Sequence, residues 1–159
     1  MYFTSRGEIE KVSPKPRKTF SLKEANALIP EIEKRLKRLQ TKREVYTRLH
    51  DALFVRELVA AAEKTNGILE NDDLEANIHD LEQAIEDLAK DVEAIFEKGC
   101  FLRSIEKGRV DFPADFENKR IFWSWETGEA KIRYYRHPKS PFSERIAIPT
   151  GVLTSLGGK

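Results

Sequence analysis

Residues 74–95 read LEANIHDLEQAIEDLAKDVEAI, and the spacing of their apolar positions decides the fold. Leu74, Ile78, Leu81, Ile85, Leu88, Val92 and Ile95 step by 4, 3, 4, 3, 4 and 3 residues. A strand places every second residue on one face, whereas this alternation of threes and fours keeps one stripe on one side of a helix. The stripe is narrow and holds for three heptads, as in a coiled-coil seam that accepts one partner helix. Asp72 with Glu75 supplies an acidic start. Lys98 and Gly99 supply a cation in the last turn and a stop after it.

The partner lies upstream. From Pro30 to about Lys64, Ile32, Leu39, Tyr46, Leu53 and Ala60 recur every seven residues, with Leu36 and Leu49 beside them. At ~1.5 Å per residue such a helix spans roughly 50 Å. Asn66-Gly67 ends it, and the short link to Asp72 forces the two helices to run antiparallel as neighbours. Before Pro30, Ser21 and Glu24 form a capping box, and Phe20 stands where it can staple onto Ala25. Pro30 removes a backbone donor, so the spacing favours a short first helix ending near Leu28 and a second beginning at Pro30, with one kinked helix as the alternative.

Beyond Gly99 the period becomes two. Phe101–Ile105, Arg109–Phe112, Arg120–Trp125 and Lys131–Tyr135 read as short strands, separated by turns at Lys107-Gly108, Asn118 and Thr127-Gly128. The expected fold is therefore α+β and mostly α: a long antiparallel, coiled-coil-like helical hairpin followed by a small antiparallel β-sheet of three or four strands. Residues 1–18 read as a flexible basic arm, 19–98 as the hairpin with its capped N-terminal turn, 99–148 as the β region and 149–159 as a flexible tail.

Composition suits this picture. Of 159 residues, 40% are hydrophobic and 35% charged, a polar balance for a chain with much helical surface. One cysteine, Cys100, excludes an internal disulfide framework and points to a reducing cytoplasm. No apolar run resembles a signal peptide or a membrane span, so no membrane partner is expected. Net charge is +1, but residues 51–87 hold eleven acidic and two basic residues, a local −9 that leaves +10 for the rest. The tip of the hairpin is acidic and its base basic.

Four sets of residues bear on function. Near the tip, Phe54, Val55, Leu58 and Val59 give the first helix more apolar surface than the narrow seam can cover, which predicts a homodimer interface, with cover by the folded-back arm or tail as the alternative. On the first helix, Lys34, Arg35, Lys37, Arg38, Lys42 and Arg43 form a basic run that can follow a phosphate backbone or simply remain solvated and paired across the hairpin. In the β region, Asp111, Trp125, Glu129, Arg133, Arg136 and Arg145 are ligand-binding candidates, since arginine forks read carboxylate or phosphate. Asp111 before Phe112-Pro113 also fits a turn residue, and the tryptophans fit packing against the helices. Asp111, Glu129 and His137 are metal-ligand types without a diagnostic spacing, so no metal or cofactor is expected. No nucleophile–base arrangement can be read from spacing, and no catalytic residue is assigned.

Several segments resemble an uncharacterised bacterial family, domain of unknown function 2203. They are Phe20–Pro30 (FSLKEANALIP), Gly108–Pro113 (GRVDFP) and Trp125–Ile132 (WETGEAKI), with Phe142 and Arg145 fitting the closing segment. The resemblance spans roughly residues 18–148 and implies a helical hairpin followed by a small β region. It implies no activity. In the family pattern an aromatic-His pair follows the Gly-Glu strand. Here the corresponding residues are Tyr135 and Arg136, and the histidine comes one position later, at His137, which in a strand reverses its face. The combined reading is a non-enzymatic scaffold or interaction protein, dimeric through its helices. An RNA- or ribosome-associated binder is the alternative, and a metal- or anionic-ligand-binding enzyme the third.

Overall fold

The computed structural model describes residues 18–66 and 72–153. The basic arm up to residue 17, Gly67, the expected Asp72 side-chain cap and the tail from 154 lie outside the described residues. Helix α1 spans Leu22–Thr65 and helix α2 spans Asp72–Phe96. Five strands follow, β1 (Phe101–Ser104), β2 (Arg109–Phe116), β3 (Lys119–Glu126), β4 (Tyr134–Arg136) and β5 (Ile146–Ala147), in one antiparallel meander of order β1-β2-β3-β4-β5. No helix among the described residues is long and apolar enough to cross a membrane.

The capping box at the start of α1 forms as expected: Glu24 N–H donates to Ser21 Oγ at 3.0 Å and Ser21 N–H donates to Glu24 Oε1 at 2.9 Å. The expected break at Pro30 does not occur, and α1 runs through it as a single 44-residue helix. The reason lies in the packing. Leu22, Ala25, Ile29, Ile32, Leu36 and Leu39 are all buried in one core and step by 3, 4, 3, 4 and 3 across the proline. A break there would rotate half of this stripe out of the core. That costs more than the one backbone hydrogen bond a proline removes.

The sheet closes this core from the other side. Val110, Phe112 and Ala114 of β2 stand opposite Trp125, Trp123 and Ile121 of β3, and all six are buried. Phe20 meets Phe112 edge-on, with ring centroids 5.4 Å apart. Its N–H donates to Pro113 O at 2.8 Å and its carbonyl accepts from Trp123 Nε1 at 2.9 Å. Asn26 Oδ1 accepts from Ile132 N–H at 2.9 Å, and Gln40 Nε2 donates to Ile105 O at 3.0 Å. The start of helix α1 is thereby tied to β2 and β3, and its body to the β3–β4 connection and the β1–β2 turn.

Two strand ends differ from expectation. β2 continues past Phe112 to Phe116, because Pro113 turns its carbonyl, and hence the side that lacks an N–H, toward Phe20 and away from β3. The strand expected at Lys131–Tyr135 is shorter and shifted to Tyr134–Arg136, and a fifth strand, Ile146–Ala147, pairs with it. Past β5, Ile148 is buried and Thr150–Val152 makes one helical turn, with Val152 and Leu153 against the core.

Two turns depend on left-handed backbone. Glu117 and Asn118, at φ 52° and 64°, form the two-residue link between β2 and β3. Gly108 has φ +69°, and a Cβ there would lie 1.9 Å from Thr127 Oγ1, because Thr127 N–H and Oγ1 both bond to Gly108 O. The glycine lets the β1–β2 turn sit directly against the end of β3.

The hairpin seam is rotated from the expected one. Leu74, Leu81 and Leu88 are half-buried and Ile95 is buried, but Ile78 and Ile85 are exposed. Asp91, on the same stripe as Leu81 and Leu88, is buried where Lys42 Nζ approaches Oδ2 to 2.9 Å and Arg38 Nη2 approaches Oδ1 to 3.3 Å. The ion triad fixes which side of α2 faces α1, and it turns Ile78 and Ile85 toward solvent.

Candidate functional site

The sheet presents its outer face away from the helices. Asp111, mid-strand rather than in the turn that was the alternative, pairs in register with Phe101 on one side and Ser124 on the other. Phe122 stands opposite Arg136, and Ser124 opposite Tyr134. Alternation therefore places Phe101, Asp111, Phe122, Ser124, Tyr134 and Arg136 on this one face.

Asp111 is 2% exposed, and its Oδ2 accepts from Arg136 Nη2 and, at 2.9 Å, from Arg103 Nε. Arg136 is buried with it and also donates to the carbonyls of Ser140 and His137. The Arg103 guanidinium lies over Phe101 and Phe122 at 5.0 and 5.1 Å, and that of Arg136 over Phe122 at 5.3 Å. Arg103 reaches this position through a bulge, since the β1–β2 register shifts between Leu102 and Ser104. Ser124 Oγ is fully buried beside Asp111 and has no hydrogen-bond partner among the described residues.

A second cluster forms where the segment after β4 crosses the sheet. Arg145 holds Glu129 with two bonds, Nη1 to Oε1 at 3.2 Å and Nη2 to Oε2 at 2.8 Å, a bidentate fork. Its guanidinium lies 4.0 Å from the Phe142 ring centroid and 4.3 Å from that of Tyr134. Arg109 covers Phe142 at 3.7 Å and pairs with Glu126 at 3.1 Å. Glu129 Oε1 also accepts the Glu126 N–H, and Glu129 O accepts Trp125 Nε1 at 2.8 Å.

The ligand candidates thus fall into four places. Asp111 meets Arg136, and Glu129 meets Arg145, each acid neutralised by a cation of the set. Trp125 lies on the opposite, helix-facing side, fully buried, and Arg133 is exposed to solvent. His137 faces the Tyr135 ring at 6.0 Å. Among the described residues, no three His, Cys, Asp or Glu side chains gather into a group that could hold a metal ion. Arg103 was missed as Asp111's partner; the only hint was an arginine in an otherwise regular strand.

On α1 the basic run divides. Arg35 pairs with Glu31 at 3.1 Å, Arg38 and Lys42 with Asp91, while Lys34, Lys37 and Arg43 are exposed. Lys98 joins Glu31 at 2.9 Å, and the hydrogen bonds from Lys98 and Arg35 hold the Glu31 carboxyl below its ordinary range. Cys100 is buried and donates to Ile95 O; burial pushes its thiol up to about 11, so it is not poised as a nucleophile.

At the tip, Phe54, Val55, Leu58 and Val59 are all exposed, the first three at 56–57%. At roughly 100° per residue they fall on the back of α1, turned away from buried Leu53 and from α2.

No curated protein and no solved structure matches the chain. Over residues 18–148, from the capping box through β5, it matches the family model described as "Uncharacterized conserved protein (DUF2203)", and it belongs to that family.

Proposed function

We propose that the protein is a non-enzymatic scaffold that self-associates through the distal half of its hairpin, in a cytoplasmic setting that suits its single buried cysteine. The observation that carries this reading is the exposure of large apolar residues on both helices of the tip: Phe54, Val55, Leu58 and Val59 on α1, Ile78 and Ile85 on α2. Apolar surface of this extent is stable in water when a partner covers it. A second hairpin is the partner whose shape fits, giving a four-helix bundle. Charge supports an antiparallel pair. With the two copies centred on Phe54 and Leu58, Arg48 of each would run alongside the acidic tip of the other.

The test is solution mass by light scattering with Phe54→Lys as the variant. The native chain should be a dimer at tens of micromolar. The variant should raise the dissociation constant by about 100-fold or more while retaining helicity. A native chain that stays monomeric at that concentration would overturn the reading. The β end is the proposed recognition surface for a further protein partner. A nucleic-acid reading has less to stand on, because three of the six cations in the basic run are already paired within the hairpin.

A further inference from the structure

The charge pairs of the sheet's outer face are satisfied within the chain, but the junction of the hairpin and the sheet is not closed. Where α1, α2, β1 and the turn after it meet, the surface opens into a cleft of about 400 Å³. Its apolar lining comes from Val92 and Phe96 of α2 and from Leu102 and Ile105 at the start of the sheet. Phe96 is 43% exposed, a large aromatic ring left on the wall of a concave surface. Its charged lining residues are Arg43, Arg103 and Glu106, two cationic against one acidic.

Each cation is available for a different reason. Arg43 sits one residue past Lys42, which is spent on Asp91, and it remains exposed. Arg103 is carried out of the regular ladder by the β1 bulge; of its nitrogens only Nε donates a hydrogen bond among the described residues, to Asp111, while the guanidinium plane lies over Phe101 and Phe122. The backbone does not offset these charges. At the end of α2 the carbonyls of Glu93, Ile95 and Phe96 accept from the Glu97, Lys98 and Gly99 N–H groups, which leaves little bare carbonyl there.

We propose that this cleft binds a small organic anion, its apolar body lying on Val92, Phe96, Leu102 and Ile105 and its carboxylate held by Arg43 and Arg103. The size matches a ligand pocket at the lower end of the usual range. A guanidinium pair beside apolar walls favours a planar oxyanion over a hydrated inorganic ion, because the forks supply directed donors while the walls recover apolar area. The site is separate from the dimer surface, which lies further along both helices, and it stands or falls independently of self-association.

The experiment is a titration of the full chain with decanoate, followed by ¹H–¹⁵N NMR, with decanol as the neutral probe of equal chain length. Decanoate should shift the amides around Arg43, Val92, Phe96 and Leu102–Glu106 saturably, with a Kd between about 10 µM and 1 mM. Decanol should be at least tenfold weaker there. Arg43→Glu changes an exposed helix position, and Phe96→Glu places a carboxylate on the exposed wall; each should weaken decanoate at least tenfold without lowering the Tm by more than a few degrees. Either variant alone suffices as a test if the other fails to fold. Absence of a saturable shift at the cleft up to 1 mM would overturn the proposal. So would equal binding of decanol, unchanged affinity in Arg43→Glu, or shifts confined to the hairpin tip around Phe54.

Discussion

At the base of the hairpin, Leu22, Ala25, Ile29, Ile32, Leu36 and Leu39 of α1 are sealed under the sheet, and Ile95 of α2 joins them. Toward the tip of the same two helices, Phe54, Val55, Leu58, Ile78 and Ile85 stand in water, with Leu53 the one buried apolar residue of that stretch of α1. Helix α1 is continuous from one regime to the other, so local propensity does not separate them. The difference is the number of layers. At the base each helix meets both the other helix and the sheet; at the tip each meets only the other helix. One seam between two helices buries one stripe, and any apolar residue off that stripe needs a second contact from elsewhere.

The largest expected effect tests the base. Phe112→Ala removes a fully buried ring from between Phe20 and the β3 tryptophans and should cost about 4 kcal/mol of unfolding free energy, at any protein concentration. Phe54→Ala, an identical truncation at the tip, should cost a monomer under about 0.5 kcal/mol. Its effect should appear only as concentration rises and copies pair. Urea denaturation at 1 and 50 µM protein distinguishes them. A Phe54→Ala loss as large as that of Phe112→Ala at the lower concentration would show that the tip is not a separate regime.

A smaller effect tests why the base is polar on its outer face. Asp111→Asn keeps the shape of the side chain but leaves Arg136 buried and Arg103 beside it without their shared anion. The cost should be about 3 kcal/mol, since breaking a buried pair strands a desolvated charge. Ser124→Ala, one strand across, removes a buried hydroxyl without a partner and should be neutral or mildly stabilising by the same denaturation assay. The contrast between two neighbouring polar residues shows whether the ion cluster or burial alone holds this face.

How far the sequence reaches follows the same division. Residue periods report one-sided burial, so both helices and β1 to β3 are legible from threes, fours and twos. Pro30 misleads because its local cost is visible in the sequence while the core stripe that overrides it is a tertiary fact. Pro113 misleads in the same way: a proline reads as a strand end unless one knows which edge its nitrogen faces. β5 has two residues, too few to show any period. Of the candidate site, Asp111, Glu129, Arg136 and Arg145 are recognisable by chemical type. Their pairing is not, because it depends on a bulge at Arg103 and on the segment after β4 folding across the sheet. The cleft is still less legible. Arg43, Phe96 and Ile105 come from three elements and share no spacing.

The smallest expected effect adds to the base without touching the tip. Glu117 holds a left-handed backbone, φ 52°, in the β2–β3 turn, where its Cβ crowds the following carbonyl. It is exposed, and among the described residues it makes neither an ion pair nor a packing contact with the core cluster. Glycine adopts this conformation without crowding, although it also gives the unfolded chain more freedom. The relief should outweigh the added freedom, so Glu117→Gly should stabilise the fold by about 0.5 kcal/mol and raise the Tm by about 1–2 °C. The dissociation constant of the dimer should not change, because the turn lies at the far end of the molecule from Phe54 and Leu58. Light scattering beside thermal unfolding reads both quantities. A change in self-association with this variant would mean that the sheet, and not the hairpin tip, carries the contact between copies.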